Sequence, residues 1–406
     1  MTDAAELAEQ VARTSYGRLL ALLAAPTGNI AAAEDALADA FERALAGWPV
    51  SGVPDNPEGW LLTVARNRLR DLYKSSAFRT TAQLDDAETM TAELAQFDEL
   101  DGLDFESIPD KRLALLFVCA HPAVDASIRT ALMLQTVLGF ESAQIAVAFA
   151  VPEAAMAQRL VRAKKRIRVA RIPFVVPTIA DMPTRLPAVL EAIYGAYAID
   201  WQGVAGSSVR ESMSGEALYL ATTLAALLGD EPEAFGLEAL IALSLSRAAA
   251  RANGTPLEEQ DPGLWDAALI DRGEAALRRA HSLGRIGRFQ LEAAIQSAHC
   301  ARRDGLPTDY ATLCKLYTAL VAIAPTLGAR VSLAAVIGET DGPDAALAEL
   351  DGIDAPRFQP LWATRAHLLA RADRAADARA AYEKAISLTT DRVSRERLEA
   401  SLEQLR

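Results

Sequence analysis

The chain has 406 residues, of which 51% are hydrophobic and only 6% aromatic, and a formal net charge of −13. That length exceeds one ordinary core and points to several domains, while an Ala- and Leu-rich balance with few β-branched runs favours helix throughout. Three scattered cysteines (Cys119, Cys300, Cys314) exclude a disulfide framework and point to a reducing cytoplasm, and no apolar run reaches the length of a membrane span.

The N-terminal MTDAAELAEQ lacks the basic and apolar regions of a signal peptide, so none is expected. Residues 1–79 read as a helical domain. Within it, AAAEDALADAFERALAGWP forms an amphipathic helix with Leu37, Phe41 and Leu45 inward and Glu34, Asp35, Asp39 and Glu42 outward. After the loop VSGVPDNPEGW comes LLTVARNRLRDLYKSS, a helix whose outer face is basic through Arg66, Arg68, Arg70 and Lys74. Asp71 is expected to pair locally with Arg68 or Lys74. One acidic and one basic helix in so small a domain imply two partners of opposite charge.

Residues 80–107 hold nine acidic residues and no basic one, and read as a polar connector. Residues 108–177 form a second helical domain. DASIRTALMLQTVLG is capped by Asp125 and stops at Gly139, where a positive φ is cheap. ESAQIAVAFA is a short helix with Ile145 and Phe149 on one face; Val151 and Pro152 turn the chain. PEAAMAQRLVRAKKRIRVA then forms a helix with an apolar seam of Met156, Leu160, Ala163 and Ile167. Seven basic residues lie between Arg159 and Arg171, and no acid stands between Glu153 and Asp181, although the chain as a whole is acidic. Such a pattern predicts a helix-turn-helix whose second helix enters the major groove. Glu153, Gln158 and Arg159 are then placed towards base edges, and Arg162, Lys165 and Arg166 towards phosphates.

Residues 178–406 carry 23 basic and 31 acidic residues, or −8, on a helical pattern. PTLGARVSLAAVIGETDGPDAALAELD and QPLWATRAHLLARADRAADARAAYEKAI overlay at an offset of 33 to 35 residues. Each reads as helix, tight turn, helix, the period of a tetratricopeptide repeat. Trp362, Ala366, Leu369, Ala378, Ala381, Tyr382 and Ala385 occupy its close-packing positions. The fold class expected is all-α.

Nothing in the sequence points to catalysis. His121, His281, His299 and His367 form no metal spacing with the cysteines, and no glycine-rich phosphate loop is present. Cys119 and His121 sit at an apolar helix end and read as structural. No enzyme activity, metal or cofactor is expected.

AEDALADAF, NPEGWLLTVARNRLRD and the run ending AQRLVRAKKRIR together resemble bacterial RNA polymerase sigma factors of the extracytoplasmic-function type (sigma-70 family, group IV), over residues 5–79 (region 2) and 108–172 (region 4). CAHP at 119–122, VPEAAMAQRLVRAKKRI and ETDGPDAALAELD narrow the resemblance to a subgroup with a C-terminal tetratricopeptide-like extension. The subgroup often has DGGP where this chain has Asp341-Gly342-Pro343, which puts in doubt any role needing the longer turn.

The resemblance implies partners: core RNA polymerase, through its clamp helices and flap, and promoter DNA. It makes Glu34, Asp35, Asp39 and Arg43 polymerase contacts. Asp55, Asn56, Arg66, Asn67, Arg70 and Lys74 become minus-10 contacts, and the helix beginning at Glu153 becomes the minus-35 reader. Trp60 admits two readings, base stacking and core packing, and its place at a helix start favours the core. The connector would thread the polymerase interior or act as a solvated spacer. The extension is expected to regulate activity, with an unidentified regulatory protein as a further partner and no membrane anchor. Two other readings compete: a stand-alone operator-binding regulator, which leaves the paired charged helices of residues 30–75 unexplained, and a tetratricopeptide scaffold, which predicts no dependence on DNA.

Overall fold

The computed structural model describes residues 4–26, 28–80, 108–149, 151–170, 172, 181–201, 207–251, 255–389 and 392–405. Every regular element among them is helical, so the chain is all-α as its composition dictates. It divides into two compact units, residues 1–224 and 225–406. Residues 81–107 of the acidic connector lie outside the described residues, as do Arg171 and residues 173–180.

In the first unit α1 (Ala4–Ala24), α2 (Ile30–Ser51) and α3 (Pro57–Thr80) pack on one another. Asn29 caps α2 by accepting from the Ala32 amide at 3.2 Å. The buried stripe of α2 is Ile30, Ala33, Leu37, Ala40, Ala44 and Trp48, spaced three or four apart. Small alanines in that stripe let α1 and α3 approach closely. Leu45, expected inward, is 52% exposed, and Phe41 is half-buried. A step of four residues on a 3.6-residue helix drifts by about 40°, so a seam followed in fours from Leu37 walks off the buried face.

The next helices are α4 (Ile108–Cys119), α5 (Ala126–Thr136), α6 (Ser142–Ala148) and α7 (Glu153–Val169). Leu113, Leu115, Leu116 and Phe117 of α4 are wholly buried, each contributing about 1.5–3 kcal/mol. Asp125 caps α5, and Gly139 (φ 71°) closes it with a bond from its amide to the Gln135 carbonyl at 3.2 Å. Glu141 and Gln144 form a capping box on α6. Of the predicted pair on α6, Ile145 is buried, whereas Phe149, just beyond the helix, is 37% exposed. The seam of α7 is buried at Met156, Leu160, Ala163 and Ile167, as its spacing predicts. Then come α8 (Met182–Trp201) and α9 (Ser207–Leu228). The sequence reading begins the C-terminal domain at residue 178; the compact units meet between Leu224 and Ala225. Helix α8 buries Val189, Leu190, Ile193 and Tyr197 and packs on α4 and α5, within the first unit.

The second unit begins with α10 (Pro232–Leu245), buried along nearly its whole length, and the single-turn α11 (Ala248–Arg251). Helices α12 (Ala267–Ser282) and α13 (Arg288–Cys300) pack on α10. The Glu233 carboxylate caps α13, accepting from the Phe289 and Gln290 amides at 2.9 and 3.1 Å. The remaining helices are α14 (Tyr310–Ile323), α15 (Leu327–Thr340), α16 (Pro343–Asp351), α17 (Gln359–Arg371), α18 (Ala375–Leu388) and α19 (Arg392–Gln404), and each packs on the next. Ala366, Leu369, Ala378, Ala381, Tyr382 and Ala385 are buried between α17 and α18, as the repeat pattern predicts. Trp362 is half-buried and donates to the Pro356 carbonyl at 3.0 Å. At the Asp341-Gly342-Pro343 turn, Gly342 takes φ 92° and Pro343 opens α16.

Candidate nucleic-acid and polymerase interface

The six residues predicted to meet the minus-35 element all lie on α7. Glu153, Gln158, Arg162, Lys165 and Arg166 are not buried, and Arg159 turns back onto the start of α5. Its Nη2 donates to the Ser127 carbonyl (3.2 Å) and hydroxyl (2.8 Å). The Arg166 Nε donates to the Ala123 carbonyl at 3.3 Å. These two arginines, with Arg162, border a cleft of about 340 Å³ between α7 and the start of α5. Asp125 lies in the same cleft, and hydrogen bonds from the Ser127 amide and hydroxyl hold its carboxyl below the usual range. The cleft is a cationic groove with a single acid at its edge.

The residues assigned to the minus-10 element surround the start and the outer face of α3. Asp55 and Asn67 are exposed, and Arg66 and Arg70 are half-buried. Asn56 is structural as well: its Oδ1 accepts from the Gly59 amide at 2.8 Å and so caps α3. Lys74 is on the same helix, but its side chain falls outside the described ones. Trp60 packs edge-on against buried Trp48, ring centroids 5.6 Å apart, in line with the core reading. Arg68 bonds Asp39 of α2 at 2.6 Å, a link between helices, while Lys74, the other partner expected for Asp71, has its side chain outside the described ones. Ser15 and Arg18 of α1 both engage Glu58 in the first turn of α3.

The four predicted polymerase contacts on α2 are in unequal settings. Asp35 and Arg43 are exposed, and Asp39 is engaged by Arg68. Glu34 is not free. Both its carboxylate oxygens lie 2.6 Å from Nζ of Lys164 on α7, with side chains 19% and 10% exposed respectively. Burial pushes the Glu34 carboxyl up, and Lys164 opposes that shift. Nearby Tyr16 is also pushed up, by burial first and then by Glu34 and Asp35. Sequence reasoning missed the contact of Lys164 with Glu34. The place of Lys164 in the α7 pattern, next to buried Ala163 and three positions before buried Ile167, was the available signal.

Cys119 and His121 do not act as a pair. The buried Cys119 thiol lies 3.4 Å from the Thr136 hydroxyl, and burial pushes its pKa to about 12. The His121 Nδ1 accepts from the Ala123 amide at 3.1 Å. Among the described residues no group of three or more His, Cys, Asp or Glu could hold a metal ion, and no helix is long and apolar enough to cross a membrane.

Residues 11–79, the three-helix bundle with its acidic and basic helices, match the Sigma-70 region 2 family. That match supports a sigma-70 family factor. Residues 324–406 of this factor match a tetratricopeptide repeat-like domain, and residues 185–281 match a family of unknown function, DUF6596. An uncharacterized protein of Rhizobium meliloti (strain 1021), R00370, is 36% identical over 376 residues, covering 89% of this chain and 87% of the relative. The two belong to one family. No solved structure matches the factor. Sigma-70 factors are not an enzyme class, and the region 2 match implies core polymerase and promoter DNA as partners.

Proposed function

We propose that this protein is an extracytoplasmic-function type sigma factor, acting in the cytoplasm, that brings core RNA polymerase to its own set of promoters. The observation that carries the reading is the exposed basic face of α7, held on a short helix and turn, in a chain whose residues 11–79 match sigma-70 region 2. In this reading residues 1–79 are region 2 and 108–177 region 4, with α6 and α7 as a helix-turn-helix. Gln158, Arg162 and Lys165 project outward from α7 and meet DNA directly, while Arg159 and Arg166 also fix the helix to the segment around the start of α5. Asp35, Asp39 and Arg43, with Glu34, receive the polymerase clamp helices. Asp55, Asn67, Arg66, Arg70 and Lys74 act on the minus-10 element, with Asn56 holding the start of α3. Residues 178–406 are the regulatory extension, whose stacked helices offer a surface for a further protein.

Run-off transcription of host DNA with core polymerase, with and without the protein, tests this. Discrete start sites that appear only on addition are expected, and their upstream sequences define both promoter elements. Tight operator binding without any effect on core would instead favour a stand-alone regulator.

A further inference from the structure

Helix α2 and helix α7 are each assigned a partner outside the chain, yet in this structure they are partners of one another. Lys164 lies 130 positions from Glu34 and grips both of its carboxylate oxygens. A surface pair between such distant segments would be worth little, because water replaces it at almost no cost. This pair is largely removed from water, so losing one member leaves a charge that the closed structure cannot hydrate.

Two further contacts tie neighbouring helices of the same unit together. Helix α1 crosses α4, and Gly17 is set so tightly against the backbone at the end of α5 that a Cβ there would collide with the Val137 carbonyl. Buried Arg112 of α4 pairs with Glu216 of α9 and lies 5.1 Å over the Tyr219 ring. Region 2 is therefore held to region 4, and region 4 to the first part of the extension. Meanwhile Asp35, Glu42 and Arg43 remain exposed on α2, so only part of its charged face is covered.

We propose that Glu34 and Lys164 form an intramolecular latch that withholds the start of α2 from polymerase until α7 swings away. Polymerase would first meet the exposed Asp35, Glu42 and Arg43, and then compete with Lys164 for Glu34. The contact between α2 and α7 is a property of this chain alone; its effect on polymerase rests on the function proposed above.

The test uses the full chain with Cys314→Ser, spin labels at Ser51→Cys and Val169→Cys, and a pulsed dipolar measurement of the distance between α2 and α7. A single narrow distance is expected for the parent protein. Lys164→Glu sets two carboxylates face to face and should give a longer, broad distribution; the exchange Glu34→Lys with Lys164→Glu should restore the narrow one. Gly17→Val should open the unit without changing any charge. Circular dichroism establishes that each variant is folded, with Lys164→Gln as the milder substitute. In parallel, the affinity of Lys164→Glu for core polymerase should rise on the order of tenfold, as a binding-competent state becomes the main one. Unchanged distances in Lys164→Glu and Gly17→Val would overturn the latch. Open distances with unaltered core affinity would overturn its role as a gate. Open distances with no core binding by any form would retain the latch and reject the sigma-factor reading.

Discussion

The two compact units are held together in different ways. In the first, largely buried charged side chains bridge helices far apart in sequence: Glu34 to Lys164 and Arg112 to Glu216. In the second, successive helices stack on apolar seams such as Leu361, Ala366, Leu369, Ala378 and Tyr382. Its ion pairs, such as Arg371 with Glu339 and Arg365 with Asp351, join nearby helices of the stack. An apolar seam has no partner in water and stays shut. A charged contact can be exchanged for water or for another macromolecule, which suits a domain that must take up partners.

The largest effect should come from a buried long-range pair. Lys164→Met is expected to lower the stability of the first unit by about 3 kcal/mol, at the low end for breaking a buried pair because Glu34 regains water on opening. Hydrogen exchange of the amides in α2 and α7 should report this, with no change in α17 and α18. If both units loosened equally, the contrast between them would fail.

The second unit has a charge sensitivity of its own at His299. Burial, then Arg247 and Arg302, hold its pKa down to about 4. The unfolded chain binds a proton at about pH 6.5, so stability is full above that value and is lost as pH falls towards 4. Between pH 7 and 4.5 the loss should be about 2–3 kcal/mol, and His299→Asn should remove that part of the pH dependence. Denaturant unfolding of the two proteins at both pH values provides the comparison; parallel curves would remove His299 as the cause.

A smaller effect separates structure from recognition at Asn56. Asn56→Ala should cost about 1 kcal/mol through the lost cap, and Asn56→Ser should recover most of it. Recovery of thermal stability without recovery of promoter melting would show that the side chain also meets DNA. Smallest of all, Arg162→Ala should leave stability unchanged while lowering the log–log salt slope of promoter binding by about 1. An unchanged slope would place Arg162 away from phosphate.

Much of the molecule was legible in the linear sequence because helical periodicity is local. The seam of α7, the Asp125 cap, the Gly139 stop and the α17–α18 repeat all follow from residues within a few turns of each other. The basic character of α7 was legible for the same reason: six cations from Arg159 to Arg168, with no acid among them, stand out in an acidic chain. Local spacing failed where a seam was followed in steps of four, as at Leu45, which drifts off the buried stripe of α2. It also failed for charges, since the spacing along a helix does not say which distant helix answers them. Arg68 found Asp39, and Arg159 found Ser127.

The sequence alone thus determined an all-helical chain, its caps and turns, and the placing of acid on one N-terminal helix and base on another. Tertiary structure alone decided that Glu34 and Lys164 meet. The energy of a charge depends on its solvation and on the nearest opposite charge, and both are set by the packing of segments that the chain order keeps far apart.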